Sequence, residues 1–389
     1  MKAEADFLIK NGRVVDPSRG IDRVMDVAVR GSHIVETGGE GAACTHVIDA
    51  SGCIVAPGLI DFHTHIFYEG SGTGLRPDFM AAQGTTAAVD AGTAGTVNYE
   101  AFYKTVVVHS ALRLKGFVTV YSGGQLDTRL CEDFDPALYN LDRLERVIDR
   151  YRDNILGLKI RISRGIVPDE RGLDYLKYVV ELAEELNRKL GTDLRVCVHA
   201  TNPPCTAGEL AGCLRPGDIF CHCYHGNGNG IVREDGSIDP GVLAARARGV
   251  LFDAANGRSN FDVGTARRAM AAGFLPDIIS TDLTVDKFNI PPYVKNLPTL
   301  LSKYLSFGMS LEQVLRAVTE VPARAMGLAG KIGTLAPGAW ADLVILRLKE
   351  QRVVHRDWKG EELAGDVLFV PQLTMCGGEI LFSQTDFFL

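Results

Sequence analysis

The sequence predicts an α/β protein: a (β/α)8 TIM barrel over about residues 57–328, with a small β-sandwich built from both chain ends, 1–56 and 329–389. Three observations predict it. In the middle of the chain short apolar runs alternate with longer helical patterns, as parallel strands joined by helices require. Several of those runs end on a histidine, a lysine or an aspartate, where a parallel barrel builds its site. The two chain ends show a different rhythm, of short apolar runs broken by turn residues.

The first 55 residues read as a small antiparallel β unit. Phe7-Leu8-Ile9 precedes Asn11-Gly12, a hairpin signal, and Arg13-Val14-Val15 leads to Asp16-Pro17. Val27-Ala28-Val29 leads to Arg30-Gly31, and Val47-Ile48-Asp49 leads to Ser51-Gly52 and then Ile54-Val55. Such a unit is too short to bury its own core. The runs after Gly333, Leu343-Val344-Ile345-Leu346, Val367-Leu368-Phe369-Val370 and Ile380-Leu381-Phe382, supply a partner.

In the middle, eight runs are expected to be strands. The first leads through Pro57-Gly58 to His63 and His65; the others end at Asp90, near Tyr121, and at Lys159, His199, His222, Asp253 and Asp282. Leu173, Leu176, Val179, Val180, Ala183, Leu186 and Leu190 share one helical face. Ser310-Leu311-Glu312-Gln313 is a capping box opening another helix.

Composition narrows the function classes. A chain of 389 residues suits one large and one smaller unit, and 46% hydrophobic residues give it a sizeable core. The net charge of −7 and the lack of a basic stripe argue against nucleic acid or an anionic membrane as partner. No stretch has the apolar length of a membrane helix, and no signal-peptide pattern opens the sequence. Nine scattered cysteines read as reduced thiols, so a cytoplasmic location is expected. The chain leaves open whether it forms a homo-oligomer. Cys221 and Cys223 flank His222, but without a second Cys pair a zinc ribbon is a weak idea.

The chemistry centres on Ile-Val-Ala-Pro-Gly-Leu-Ile-Asp-Phe-His-Thr-His, residues 54–65. Residues i and i+2 of an extended chain face the same way, so His63 and His65 can converge on one point. Neutral imidazole is a common ligand for zinc-like ions. An isolated H-x-H means little; Lys159, His199, His222 and Asp282 at other strand ends give it weight. His225 competes with His222 in Cys-His-Cys-Tyr-His, but His222 ends the apolar run.

Together with the closing Gly333-x-Leu335-x-Pro337-Gly338-x-x-Ala341-Asp342-Leu343-Val344, this set resembles the amidohydrolase superfamily, in its dihydroorotase-like branch, over nearly the whole chain. The resemblance implies two divalent metal ions. Zinc is the first expectation, and manganese or iron is allowed by the same mixed ligands. His63 and His65 would bind the more buried ion, and Lys159, carrying a CO2-derived carbamate, would bridge the two. His199 and His222 would bind the second ion, and Asp282 would touch the buried one. A metal-bridging hydroxide would attack an acyl carbon while Asp282 shuttles the proton.

The substrate is a small molecule. Dihydroorotases usually carry an arginine two residues after the second histidine; here that position is Phe67. The favoured reaction is therefore deacylation of a small N-acyl or O-acyl carboxylic acid, as in the subgroup labelled dihydroorotase but associated with deacylation. Ring opening of a cyclic amide is the alternative. Substrate contacts are expected from Thr93, Arg161, His225, Asn256 and Arg258, although a loop salt bridge is an equal expectation for each arginine. A metal-free scaffold would lack several ligands, whereas this chain keeps all six.

Overall fold

The computed structural model describes residues 5–36, 43–127, 129–130, 132–290 and 296–387. Its centre is a seven-stranded, all-parallel sheet in which each strand pairs with the next in sequence. The strands are Leu59–Thr64, Thr85–Asp90, Arg113–Thr119, Ile155–Arg161, Arg195–His199, Ile219–Cys221 and Leu251–Asp253. The first two are buried at every residue, as strands covered on both faces must be. Helices fill the connections. Gly172–Leu190 buries Leu176, Val179, Val180, Ala183 and Leu186, and Gly191 ends it in the left-handed region. The capping box at Ser310 opens Leu311–Arg316.

The eighth expected strand, around Ile278 to Thr281, is not one of the sheet strands. Residues 278–283 instead make single bridges, Ile278 with Asp253 on one side and Leu283 with Thr64 on the other. Regular pairing fails for a local reason. The Thr281 backbone N–H and hydroxyl both donate to the buried Asp61 carboxylate, and Asp282 has a φ of 53°. A side-chain acceptor and a left-handed residue take the places that ladder bonds would occupy.

The chain ends form two further sheets. One joins Ala5–Lys10, Val27–Arg30, His33–Val35 and Cys44–Asp49; the other joins Arg13–Asp16, Ile21–Val24 and Ile54–Pro57 to Leu343–Arg356, Glu362–Cys376 and Glu379–Ser383. Leu343–Arg356 pairs antiparallel with Ile54–Pro57, so the two ends meet in one sheet. Two expectations are corrected here. Asn11-Gly12 closes no hairpin, because the strands flanking it lie in different sheets. The N-terminal unit is also not purely antiparallel: Ala5–Lys10 runs parallel to Cys44–Asp49, and Arg13–Asp16 parallel to Ile54–Pro57. Asn11, at φ 64° and donating to Asp49, carries the chain across rather than back.

Ile9, Val29 and Ile48 of the first sheet share an apolar cluster with Val14, Val55, Leu343 and Met375 of the second. Ile54, Ala56, Val344 and Phe369 belong instead to the main core with the helices and the parallel sheet. A polar tie crosses the same boundary. Arg113 of the parallel sheet makes a two-bond contact with the buried Asp342, at 2.5 and 3.0 Å, and lies over the Trp340 ring. Arg113→Met leaves Asp342 without its cation and is expected to lower the unfolding free energy by about 3 kcal/mol in denaturant titrations. Breaking the half-exposed Arg13–Asp22 pair should cost under about 1 kcal/mol.

Candidate metal centre and cleft

The strand ends place the predicted ligands around one point. His63 and His65 leave the first strand two residues apart, with ring centroids 5.9 Å apart. The His222 ring lies 5.1 Å from that of His63 and 4.3 Å from that of His199. Asp282 Oδ1 is 3.2 Å from His65 Nε2 and 3.8 Å from His63 Nε2. Lys159 is buried in the same group, and its field, after burial, lowers the His63 pKa. Chain connectivity alone would not hold this arrangement. The Asp282 N–H donates to the His63 carbonyl and the His65 N–H to the Leu283 carbonyl, which fixes the 278–283 segment beside the first strand.

Local strain marks the same place. His222 has φ 63°, Asp282 φ 53° and Ala255 φ 34°, values that non-glycine residues adopt only where surroundings enforce them. Two glycines give the site its room. A Cβ at Gly92 would lie 2.5 Å from Lys159 Cβ, and one at Gly257 2.3 Å from Asp282 Oδ2.

The protonation states of the imidazoles and of Asp282 suit a cation, whereas Lys159 as a free ammonium opposes one. Burial pushes the His63 and His199 pKa well below the usual histidine range, and His222 to about 3. Burial would raise the Asp282 carboxyl, but Lys287, His65 and the neighbouring imidazoles outweigh it and hold it well below the ordinary carboxylate range. Neutral imidazoles beside an ionised carboxylate are the forms that ligate metals. His63, His65 and Asp282 offer donor atoms all within 4.8 Å of one another. The buried Nε2 of His222 has no hydrogen-bond partner, while its Nδ1 lies 2.7 Å from the Ala255 carbonyl oxygen. A buried polar atom costs free energy unless something meets it, so this donor set fits a metal ion.

A second ring of residues orients the first. Asp253, missed as a site residue although it ends a strand, sets Oδ2 3.3 Å from His63 Nδ1 and accepts from Ser280 and from the Ala255 N–H. Carboxylates in this position fix the tautomer and direction of a ligating histidine. Thr93 Oγ1 is 2.7 Å from His65 Nδ1, and Asp90 accepts from the Thr93 and Ile66 N–H groups. Thr93 therefore serves a histidine rather than the open space. Asn260, which no sequence pattern flagged, donates to Asp282 Oδ2 at 3.0 Å.

The site opens into a cleft of about 460 Å³. His65, His199 and Asp282 lie at its floor, and Arg161, Arg164, Arg258 and Lys287 supply positive charge to its lining. Arg161 ion-pairs with Glu132. His225 and Asn256 do not line this cleft. His225 is buried, with Nδ1 accepting from the Asn227 N–H. Asn256 is turned inward, donating to the Ser280 carbonyl and the Tyr304 hydroxyl and accepting from Lys303.

Comparisons with known proteins give the class to which the chain belongs. The model of the amidohydrolase family matches residues 175–381. A deacetylase of Agrobacterium fabrum is 30% identical over 386 residues, covering 97% of this chain and 92% of that protein. A dihydroorotase of Streptococcus thermophilus is 27% identical, covering 97% of this chain and 99% of its own length. A solved adenine deaminase superposes with a TM-score of 0.85 at 26% identity, over 98% of this chain and 100% of that one. A solved dihydroorotase does so at 0.83 and 28%, over 97% and 98%. The chain belongs to the amidohydrolase family. Among the described residues no helix is long and apolar enough to cross a membrane.

Lys303 explains why Asn256 faces inward, and it carries a pH dependence. Its ammonium lies 3.2 Å from the Phe261 ring centroid. Burial lowers its pKa from 10.5 to about 7, against a small opposing pull from Asp357. Between these values the unfolded chain holds a proton that the folded chain does not, so stability rises with pH across that window. Below about 7 both states are charged and the burial penalty is present in full. The unfolding free energy of wild type minus that of Lys303→Met is therefore expected to climb from pH 7 towards pH 10.5, in denaturant titrations across that range.

Proposed function

We propose that the protein is a binuclear metal-dependent hydrolase that removes the acyl group from a small N-acyl or O-acyl carboxylic acid. The observation that carries this is the meeting of four imidazoles, Lys159 and Asp282, with His65, His199 and Asp282 open to a cleft lined by both cations and carboxylates. His63 and His65 would hold the more buried ion, His199 and His222 the other, and Lys159 as a carbamate would bridge them, with Asp282 also on the buried ion. When bound, two divalent ions, zinc in the first instance, polarise the acyl carbonyl and lower the pKa of water at the site.

The remaining steps belong to the chain's own side chains. Asp282, aimed by Asn260 and Lys287, takes the proton of the attacking water and delivers it to the departing nitrogen or oxygen. Asp253 and Thr93 hold His63 and His65 in their ligating tautomers. Arg161, Arg258 and Lys287 face the cleft and receive the substrate carboxylate; Arg161 exchanges Glu132 for it. Residues 278–283, joined by single bridges to the strands on either side, take the place of the eighth strand in a (β/α)8 barrel spanning 57–328. Residues 1–56 and 329–389 form its supporting β-sandwich, and the reduced thiols fit a cytoplasmic enzyme.

Deacylation is favoured over ring opening by Phe67. Its ring is buried against Phe102, so no guanidinium reaches the site from that position. The 30% identical deacetylase supports the same choice. Opening of a cyclic amide keeps one observation in its favour, the 28% identical dihydroorotase structure. Assaying N-acyl amino acids, O-acyl hydroxy acids, hydantoins and dihydroorotate side by side separates them: turnover confined to the cyclic amides would reverse the preference.

Two variants test the site itself. Lys159→Ala should lose bound metal together with activity, and short carboxylates should restore part of both. Two ions and full rate in that variant would rule out the bridging role. Asp282→Asn, nearly isosteric, should keep much of its metal and its KM while kcat falls by about 10²–10⁴-fold. Metal content and kcat measured on one preparation separate ligation from proton transfer.

A further inference from the structure

Behind the histidines the strand register brings two thiols together. Cys197 stands two residues before His199, and Cys221 directly precedes His222. The strands pair so that His199 lies opposite Cys221 and Cys197 opposite Ile219. The two Sγ atoms are 3.3 Å apart, and a ring nitrogen of His63 lies within 4.8 Å of both. All three residues are buried, and Lys159 Nζ lies 3.5 Å from Cys197 Sγ. The hydrolytic chemistry proposed above uses neither thiol.

We propose that His63, Cys197 and Cys221 form a second metal site, selective for soft d10 cations of the cadmium type, whose occupancy excludes the hydrolytic metal because both need His63. The spacing suits chelation. With bonds of about 2.3 Å, the zinc–sulfur length, two thiolates on a tetrahedral ion sit about 3.8 Å apart, about half an ångström wider than the sulfurs stand here, and a larger soft ion needs them to part somewhat further. A disulfide would need the sulfurs at about 2.05 Å, a closure of more than an ångström between positions that the register does not place opposite each other. Donor chemistry sets the selectivity, since thiolates prefer soft ions whereas carboxylate and carbamate oxygens prefer harder ones. Binding releases the two thiol protons to solvent, and the ion's two charges neutralise the two thiolates, so no net charge is added to the buried pocket.

Cadmium binding at the thiols stands on their geometry alone; the exclusion of the hydrolytic metal rests on His63 being one of its ligands. The test uses the full-length protein titrated with Cd2+ alone. An ultraviolet thiolate-to-cadmium charge-transfer band should grow and saturate at one ion per chain. It should be lost in Cys197→Ser and in Cys221→Ser and kept in Cys205→Ser and His199→Ala. A band that persists in the Cys197→Ser/Cys221→Ser double variant overturns the site. X-ray absorption at the cadmium edge of wild type removes any dependence on how the variants fold: two sulfurs and a nitrogen support the proposal, and a shell of nitrogen and oxygen alone overturns it. Zinc-loaded protein exposed to Cd2+ should release zinc as the band appears. A full band with all zinc retained overturns the shared use of His63 while leaving the thiol site standing.

Discussion

Asp282 is an ionised carboxylate with almost no access to water, only 4% exposed, and its charge is what its neighbours are arranged to meet. A buried charge is tolerated only when hydrogen bonds and opposite charge replace the lost solvent. Here Asn260 donates to one oxygen, and the Lys287 ammonium lies 3.6 Å away. The other oxygen faces His63 and His65. The backbone adapts to the same demand. Asp282 takes a left-handed conformation, and the segment around it leaves regular strand pairing. A cation held by His63, His65 and Asp282 would add to an electrostatic balance that the fold already prepares.

Other buried acids hold that arrangement from behind. Burial raises the Asp61 pKa to about 7 and the Asp253 pKa to about 8, yet both are met by donors from the 278–283 segment. Asp61 takes Thr281, and Asp253 takes Ser280 while reaching His63. One short stretch is thus tied to the first strand, the seventh strand and a ligand at once. The Ala255 carbonyl adds His222 to the set, and the inward-facing Asn256 next to it is held by Lys303 and Tyr304. Lys303 and Tyr304 thus belong to the packing behind the ligands, joined to it through Asn256.

The open side of the site has another character. Cations and carboxylates both line the cleft, and Arg161 pairs with Glu132. The pair holds Arg161 in place, and an incoming carboxylate has to displace Glu132 to reach it. The closed side is sulfur-rich and dry, with Cys197 and Cys221 in contact behind the histidines. The same imidazole, His63, therefore stands between a hard-donor environment and a soft one.

How much was legible in the sequence follows from which interactions are local. A fully apolar run ending in a polar residue declares itself within a few positions, so the parallel strands, the Ser310 cap and the residues at the strand ends could be read directly. The i, i+2 spacing puts His63 and His65 on one face whatever the rest does. What could not be read depends on partners far away in the chain. Asp253 and His63 are 190 residues apart, and Asp61 and Thr281 are 220 apart. Asn11-Gly12 looked like a hairpin because its flanking strands are adjacent in sequence, but each found a better partner in a different sheet. Sequence alone determined which donor chemistries exist and that strand ends carry them. Only tertiary structure decided which donors meet: the His222 ring turned to His199, His225 kept apart by the Asn227 backbone, and two thiols placed behind Lys159. Register between strands and burial of charge set those contacts, and neither is a property of any local stretch of chain.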